Sequence, residues 1–371
     1  MKRGALALAA LLTATPAFAQ LGGILNKAGK AMDAADKVKA LSEKDERAAG
    51  EEVSTLVRKE FGVFQDAAVT KYVTLVGTVV AQASSRPDLK WEFIVLDTDG
   101  VNAFAAPGGI VHITRGALGL IKSESELAGV LGHEVAHVMK RHTAKAIQKS
   151  NTIKLATDLA PGSADYIREL GEAFYEDIVE NKYDRDDEND ADQEGVRLAN
   201  KAGYNPSGLG TFLTKLMERN KGETERNGLF ASHPETRDRI AKLDKQITSE
   251  KLKAPAIVAA RYASTIEFDA KPLAQVTTVA AGTKGVAGGS AKPAEGEKKE
   301  EKKEEPKRKG FGLGSLGLTK GKQQESTQAS ASGGGRAVGS PDRHASGGDN
   351  STKVSVSITP ADVAEFKKGI A

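Results

Sequence analysis

The sequence predicts an α+β fold that is mainly helical, with a small β-sheet beside one particular helix. Apolar residues recur at helical spacing through most of residues 51–202, which favours packed helices. Two short runs, Trp91–Leu96 and Ile110–Thr114, have the length and apolar content of buried strands. The helix that follows them contains His133–His137 in the pattern H-E-x-x-H, and the sheet is expected to lie beside it.

Residues 1–19 have the layout of a cleaved export signal. Lys2 and Arg3 give a charged start, an apolar run extends from Ala5 to Leu12, and Ala17–Ala19 is a small-x-small cleavage site. The apolar run is too short to span a bilayer, and no later stretch has the pattern of a transmembrane helix. We therefore expect a soluble exported protein, in the periplasm of a Gram-negative cell.

Composition excludes several kinds of site. The 371 residues include no cysteine, so disulfides, a lipid anchor on cysteine and thiolate metal ligands are all excluded. Any metal site must use histidine and carboxylate. Acidic residues balance the basic ones to a net charge of +3, so no surface for nucleic acid is predicted.

The chain before the strands is predicted to be helical. Residues 20–50 carry mixed charges and loosely spaced apolar residues, which favours an arm or a packing helix over a membrane-surface helix. Residues 51–84 show stronger helical periodicity, and the break at Ser84–Pro87 ends this helical pair.

The segment Asn102–Gly109 leads into the second strand. Gly108 and Gly109 follow a proline and permit backbone conformations that other residues resist. Two interpretations stay open here. The segment is either an ordinary hairpin or an edge strand that binds a peptide by β-augmentation.

The H-E-x-x-H helix begins with a predicted capping box, Ser123 at the N-cap and Glu126 at N3. His133 and His137 lie one turn apart on one face, about 5–6 Å apart at Cβ, which suits a shared metal ion. Glu134 beside them can take a proton from a metal-activated water. Because so short a pattern arises by chance, a third ligand is needed.

The third ligand is expected from the acidic run at residues 184–194. Steps of three and four from Glu188 trace a face of small and apolar residues with two acids at its start, Glu188 and Asp192. Glu188 is then the candidate ligand, and Asp192 the acceptor for a ligand histidine N–H. The other acids are expected on a solvated face. The helical segment 151–183 before this run is either simple packing or a lid.

Three other histidines are further candidates for the site. On an ideal helix His142 lies about 180° around from His133, so it is excluded as a ligand and placed at the surface or at the helix C-terminus. His112 lies in a strand, where a structural role is expected. His233 precedes a helix predicted at residues 235–242, so it could donate to an oxyanion or approach a metal.

Together these residues resemble the zinc metallopeptidase family that includes the CAAX prenyl protease, HtpX and BepA, of the gluzincin type. The resemblance covers about residues 50–245 and rests on five motifs in order: Asn102–Gly109, His133–His137, Glu188–Asp192, Ala202–Pro206, and Ser232–Pro234 with Arg239–Ile240. One position departs from the family's usual Glu-Ala-Asp, since Asp190 stands before Ala191 and Asp192. This change is expected on the solvent side.

The resemblance implies one Zn²⁺ per chain, bound by His133, His137 and Glu188. It implies Glu134 as general base, Asp192 behind the ligands, and His233 close to the metal or the transition state. It further implies a substrate-binding strand formed by Asn102, Ala103, Phe104, Pro107, Gly108 and Gly109. Without spanning helices, prenylated substrates are not expected, and no 34-residue helical repeat is present.

The expected function is that of an envelope endopeptidase that cleaves unfolded or misassembled polypeptides, outer-membrane proteins among them. The alternative is a periplasmic chaperone or assembly factor with a latent protease site. The predicted boundaries are a signal peptide at 1–19, an arm at 20–50, a peptidase domain at 51–245, an extension at 246–281, a linker at 282–350 and a tail at 351–371.

The linker prediction follows from composition. Residues 282–350 hold 16 glycines and a single aromatic residue, Phe311, and such a segment buries too little apolar surface to fold. The tail is predicted to contain a strand at Val354–Ile358 and a helix that starts at Thr359–Asp362. Whether the tail docks on this chain or on a partner stays open.

Overall fold

The computed structural model describes residues 41–149, 159–160, 162–180, 183–221, 236–272 and 350–370. The predicted signal peptide, most of the arm, His233 and nearly all of the predicted linker lie outside these residues. The described helices are α1 (Glu43–Phe61), α2 (Ala67–Ala81), α3 (Arg115–Leu120), α4 (Glu124–Lys140), α5 (His142–Lys149), α6 (Ala164–Glu180), α7 (Arg185–Lys201), α8 (Gly208–Arg219), α9 (Thr236–Ser249), α10 (Ala259–Thr265) and α11 (Pro360–Lys368). The strands are β1 (Glu92–Leu96), β2 (Ala103–Ala106) and β3 (Ile110–Thr114).

The three strands form one small sheet in the order β1-β3-β2. Strand β1 runs parallel to β3, and β2 pairs antiparallel with β3 as a hairpin. The hairpin interpretation is therefore correct, and β2 also lies at an edge, so the peptide-binding interpretation stays open. With helices around this sheet, the α+β prediction is confirmed.

The turn between β2 and β3 requires its glycines. Gly108 and Gly109 have φ of 72° and 93°, a region that side chains with a Cβ rarely adopt. Helix α1 packs so closely here that a Cβ on Gly108 would lie 2.5 Å from the Cα of Arg47. Helix α1 begins at Glu43 and thus crosses the boundary predicted between arm and domain.

Helix α4 is the central element of the core. Its N-cap Ser123 accepts from the backbone N–H of Glu126, as the capping box predicts. The carboxylate of Glu126 accepts from the Ser123 hydroxyl and from the Lys122 N–H, so the box is shifted by one residue from its usual form. Nearly every residue of α4 is buried, because α2, α7, α8 and the sheet all pack against it.

Glu124, the first residue of α4, is fully buried and connects α4 to α2, to α10 and to the loop between α7 and α8. Its carboxylate accepts from the hydroxyls of Tyr72 at 2.8 Å and Tyr204 at 3.1 Å. Arg261 on α10 donates to it through Nη2 at 2.7 Å and through Nε. A carboxylate at a helix N-terminus is favoured by the helix dipole, and its paired guanidinium offsets the cost of burial.

The C-terminal segment, residues 350–370, docks on this same domain. Asn350 is buried, and its carbonyl accepts from the N–H of Val63 at 2.7 Å. Lys353 donates to Glu51 and Glu92, each at 2.7 Å. The end of the predicted linker is thus part of the folded domain.

Helix α11 completes the docked segment. It starts with a full capping box between Thr359 and Asp362, which confirms the predicted helix start. The ring of Phe366 lies 6.0 Å from that of Tyr72, with the guanidinium of Arg261 4.0 Å above its face. The strand predicted at 354–358 is wrong. Its side chains alternate in exposure as predicted, but its backbone joins no ladder.

Across the part of the chain that the structure describes, none of the helices is both long enough and apolar enough to cross a membrane.

Removal of residues 350–370 should destabilise the domain. Val363 and Ile370 are buried in the core, and burial of each contributes about 1.5–3 kcal/mol. A chain that ends at residue 349 should therefore lose about 3 kcal/mol or more of unfolding free energy, measured by urea denaturation. Lys368→Ala, a change at an exposed pair with Glu365, is the control and should alter little. Equal stability of the shortened and full chains would contradict docking.

Candidate metal centre

Two glycines bring the helices of the site together. A Cβ on Gly132 of α4 would lie 2.8 Å from the carbonyl oxygen of Gly195 on α7. A Cβ on Gly195 would lie 2.7 Å from the backbone nitrogen of His133. Real Cβ atoms do not approach backbone so closely, so only glycine allows this crossing. The small-residue face predicted on α7 is therefore the face that contacts α4.

The crossing places three candidate ligands in one buried cluster. The Nε2 atoms of His133 and His137 lie 3.0 Å apart. The carboxylate of Glu188 reaches both, with Oε1 3.3 Å from His137 Nε2 and Oε2 3.6 Å from His133 Nε2. Among the described residues these three form a group that could hold a metal ion, with ligand atoms within 4.8 Å of one another.

The spacing of these atoms fits a tetrahedral metal. Ligands about 2.0–2.1 Å from a zinc ion, arranged tetrahedrally, lie roughly 3.3 Å from one another. The observed separations of 3.0–3.6 Å match the edges of such a tetrahedron. Two imidazoles and one carboxylate also suit a divalent ion that keeps its fourth position open.

Asp192 lies directly behind one ligand. Its Oδ1 is 3.0 Å from Nδ1 of His133, which leaves Nε2 of that ring facing the cluster. Burial alone would raise the pKa of Asp192, but the charge and hydrogen bonds of Arg239, with His133, lower it to about 2. An ionised Asp192 can accept the His133 N–H and hold that ring in place.

Arg239 on α9 connects the carboxylates of the site. It donates to Asp192 through Nε at 2.8 Å and through Nη2 at 2.6 Å, and its Nη1 lies 3.1 Å from Glu188. Burial would lower the pKa of Arg239, but the carboxylates of Asp192, Glu188 and the nearby buried Glu134 raise it. Arg239 belongs to the fifth family motif, but the sequence analysis assigned it no role. A buried arginine at this position was not predictable from its local pattern.

The predicted substrate strand is buried in this structure. The whole segment Asn102–Gly109 is buried, and α1, α4 and α6 pack against β2. The ring of Phe104 stacks on that of His112 at 4.8 Å. His112 contacts Ser54 at 3.0 Å, and burial with nearby positive charge lowers its pKa to about 3, in keeping with the structural role expected.

The surface position expected for His142 is wrong. Helix α4 ends at Lys140, and Arg141 has a left-handed backbone, φ 57°, that redirects the chain. His142 is consequently 1% exposed, with its Nδ1 3.1 Å from Nδ1 of His137. Extrapolation of one continuous helix failed because a non-glycine residue in this conformation is rare and leaves no sequence signal.

Further residues at His137 were not predicted. The ring of Tyr183 stacks on His137 with centroids 3.9 Å apart. Asp190, expected on a solvated face, lies 3.3 Å from Nε2 of His142 and 3.1 Å from Lys140. Asp190 is the position at which this chain departs from the family's usual glutamate, and that position is thus close to the site. Burial lowers the pKa of His142, and the carboxylates of Asp187 and Asp190 oppose this shift.

Comparison with known proteins agrees with this geometry. The family model of peptidase family M48 matches residues 67–247. The chain is 32% identical over 185 residues to the mitochondrial metalloendopeptidase OMA1 of Schizosaccharomyces pombe, covering 50% of this chain and 55% of the relative. It is 33% identical over 159 residues to metalloprotease YcaL of Escherichia coli K12, covering 42% and 61%.

A third relative is the beta-barrel assembly-enhancing protease of Escherichia coli K12. It is 25% identical over 189 residues, a match that covers 48% of this chain and 39% of the relative. The chain spans about half the length of the curated relatives it matches. The family resemblance expected from the five motifs is confirmed.

Substitution of Gly195 tests the helix crossing. Gly195→Ala forces α4 and α7 apart, because its Cβ would meet the backbone of His133, and should cost about 1–3 kcal/mol of stability. Gly210→Ala on α8 is the matched control, since nothing lies within 4 Å of its added Cβ. Thermal unfolding should show a lower Tm for the first variant only. Equal Tm values for the two variants would refute the crossing.

Proposed function

We propose, from the membership of residues 67–247 in peptidase family M48, that this protein is a zinc-dependent endopeptidase of the cell envelope. Its substrates would be unfolded or misassembled polypeptides, in a quality-control role. The observation that carries the proposal is the buried triad of His133, His137 and Glu188, with Glu134 on the same helix. A purely structural metal site has no need for a base beside its ligands.

In this proposal His133, His137 and Glu188 hold the metal. A bound zinc ion lowers the pKa of water and polarises a carbonyl group. Glu134 accepts a proton from the attacking water, whose oxygen bonds to the scissile carbonyl carbon. As the carbon–nitrogen bond breaks, the carboxylic acid of Glu134 returns that proton to the leaving amine.

The surrounding residues would orient and stabilise the reacting groups. Asp192 accepts the N–H of His133, and Arg239 fixes both Asp192 and Glu188. We assign His233 to the oxyanion that forms during attack, because it directly precedes the helix region that carries Arg239.

Substrate would bind as an extended strand along Asn102–Gly109. An edge strand offers its backbone to a peptide in that form, which favours unfolded chains. Helix α6 packs against β2, so we propose that α6 moves when a peptide binds there, in line with the lid interpretation of residues 151–183. We propose a periplasmic location from the export signal predicted at residues 1–19.

Glu134→Gln tests the peptidase directly. The amide cannot accept the proton, so hydrolysis of casein or another unfolded protein should fall by about 10²–10⁴-fold. Zinc content, measured by atomic absorption, should not change. Glu188→Gln is the paired variant and should lower zinc content as well as turnover. If the natural chain and the Glu134→Gln variant both bind zinc and neither cleaves the substrate, the result would favour the chaperone alternative.

His233→Ala tests the oxyanion assignment. Loss of one such donor should reduce kcat by about 10²–10³-fold while zinc content stays at one per chain. Steady-state kinetics on a fluorogenic peptide would measure the change. The effect should fall on kcat more than on KM, because the contact forms only in the transition state. Unchanged turnover would remove His233 from the site.

A further inference from the structure

His137 presents its two ring nitrogens to different surroundings. Nε2 faces the triad, 3.0 Å from His133 Nε2 and 3.3 Å from Glu188 Oε1. Nδ1 points away from the triad and lies 3.1 Å from Nδ1 of His142. If Nε2 is the metal-binding atom, the ring proton resides on Nδ1 and needs an acceptor.

The two histidine ligands are supported differently. His133 meets a carboxylate directly, since Asp192 Oδ1 lies 3.0 Å from its Nδ1. Nδ1 of His137 instead faces the imidazole of His142. The carboxylates lie beyond that ring, near its other nitrogen. Asp190 Oδ2 is 3.3 Å and Asp187 Oδ1 3.6 Å from Nε2 of His142.

With His137 bound to the metal through Nε2, one arrangement of protons satisfies this chain of groups. The Nδ1–H of His137 would then donate to Nδ1 of His142, which must be without a proton. A neutral His142 then carries its proton on Nε2, where Asp190 accepts it. Each imidazole thereby fixes the tautomer of the next, ending at a carboxylate.

The start of α5 also supports the face of the ligand ring. Thr143, the residue after His142, lies 2.8 Å through its hydroxyl from the hydroxyl of Tyr183. The ring of Tyr183 stacks on His137. The left-handed turn at Arg141 brings His142 to the edge of the His137 ring. It also brings Thr143 to Tyr183, which covers the face of that ring.

We propose that His142 is a positioning residue for His137, accepting its Nδ1–H so that Nε2 stays free for the metal, and that Asp190 orients His142. The inference rests on the metal triad of the proposed function. Supporting groups of this kind contribute about 10–100-fold to metal affinity in other zinc proteins.

Zinc affinity of the purified full-length chain tests the proposal, measured by competition with a chromophoric chelator. His142→Leu removes the acceptor at similar volume and should weaken affinity by about 10–100-fold. His142→Asn keeps an oxygen where Nδ1 was and should stay within a few-fold of the natural chain. Asp190→Asn should show a smaller loss than His142→Leu. His112→Leu, at a buried histidine that contacts Ser54 and Phe104, is the control and should leave affinity unchanged.

Several results would overturn the inference. They are equal affinity in the natural chain and His142→Leu, equal losses in the Leu and Asn variants, or an equal loss in His112→Leu. The last two would indicate packing alone. A natural chain that binds no zinc would instead overturn the proposed function, and this inference with it.

A second measurement needs no variant, and it decides the matter even if His142→Leu does not fold. Long-range ¹⁵N–¹H spectra of the zinc-loaded natural chain report which ring nitrogens carry protons. We expect His137 protonated on Nδ1 and His142 on Nε2. A proton on Nδ1 of His142 would overturn the proposal.

Discussion

The contact between Gly132 and Gly195 is the constraint on which the site depends. Helices α4 and α7 each supply part of the triad, and neither could complete it alone. Their backbones meet where a methyl group would not fit, so Glu188, about two turns before Gly195, comes within reach of both imidazoles. The metal centre thus follows from how closely two helices pack.

Charge balance around the triad explains why a cation fits there. Glu134, Glu188 and Asp192 are buried together, and Arg239 is the buried positive group that faces them among the described residues. When ionised, the three carboxylates exceed this arginine by two charges. A divalent ion would neutralise the remaining two negative charges and so offset part of the cost of burying them. The arrangement therefore favours a folded state with the metal bound.

The local sequence pattern correctly predicted features that depend on a single helix, such as its buried face and its first residue. The periodicity of α7 predicted that Glu188 and Asp192 share the face toward α4, where the structure has them close to His133 and His137, and the capping residues located the start of α4. It failed where the chain departs from regular geometry or where distant segments meet. Arg141 ends α4 with a rare backbone conformation, so His142 was misplaced. Arg239 lies 47 residues after Asp192, and no periodicity links them. Residues 354–358 alternate like a strand, but a strand also requires a hydrogen-bonded neighbour.

The docked C-terminal segment behaves as a ligand that the chain itself carries. Its concentration near the domain is set by the length of the connection between Pro272 and Asn350, and not by how much protein is present. Dilution therefore cannot release it, and a separate peptide of the same residues must exceed that local concentration to displace it. One cut in the connection would convert it into an ordinary ligand that dilution removes. Proteolysis there would make the stability of the domain depend on concentration.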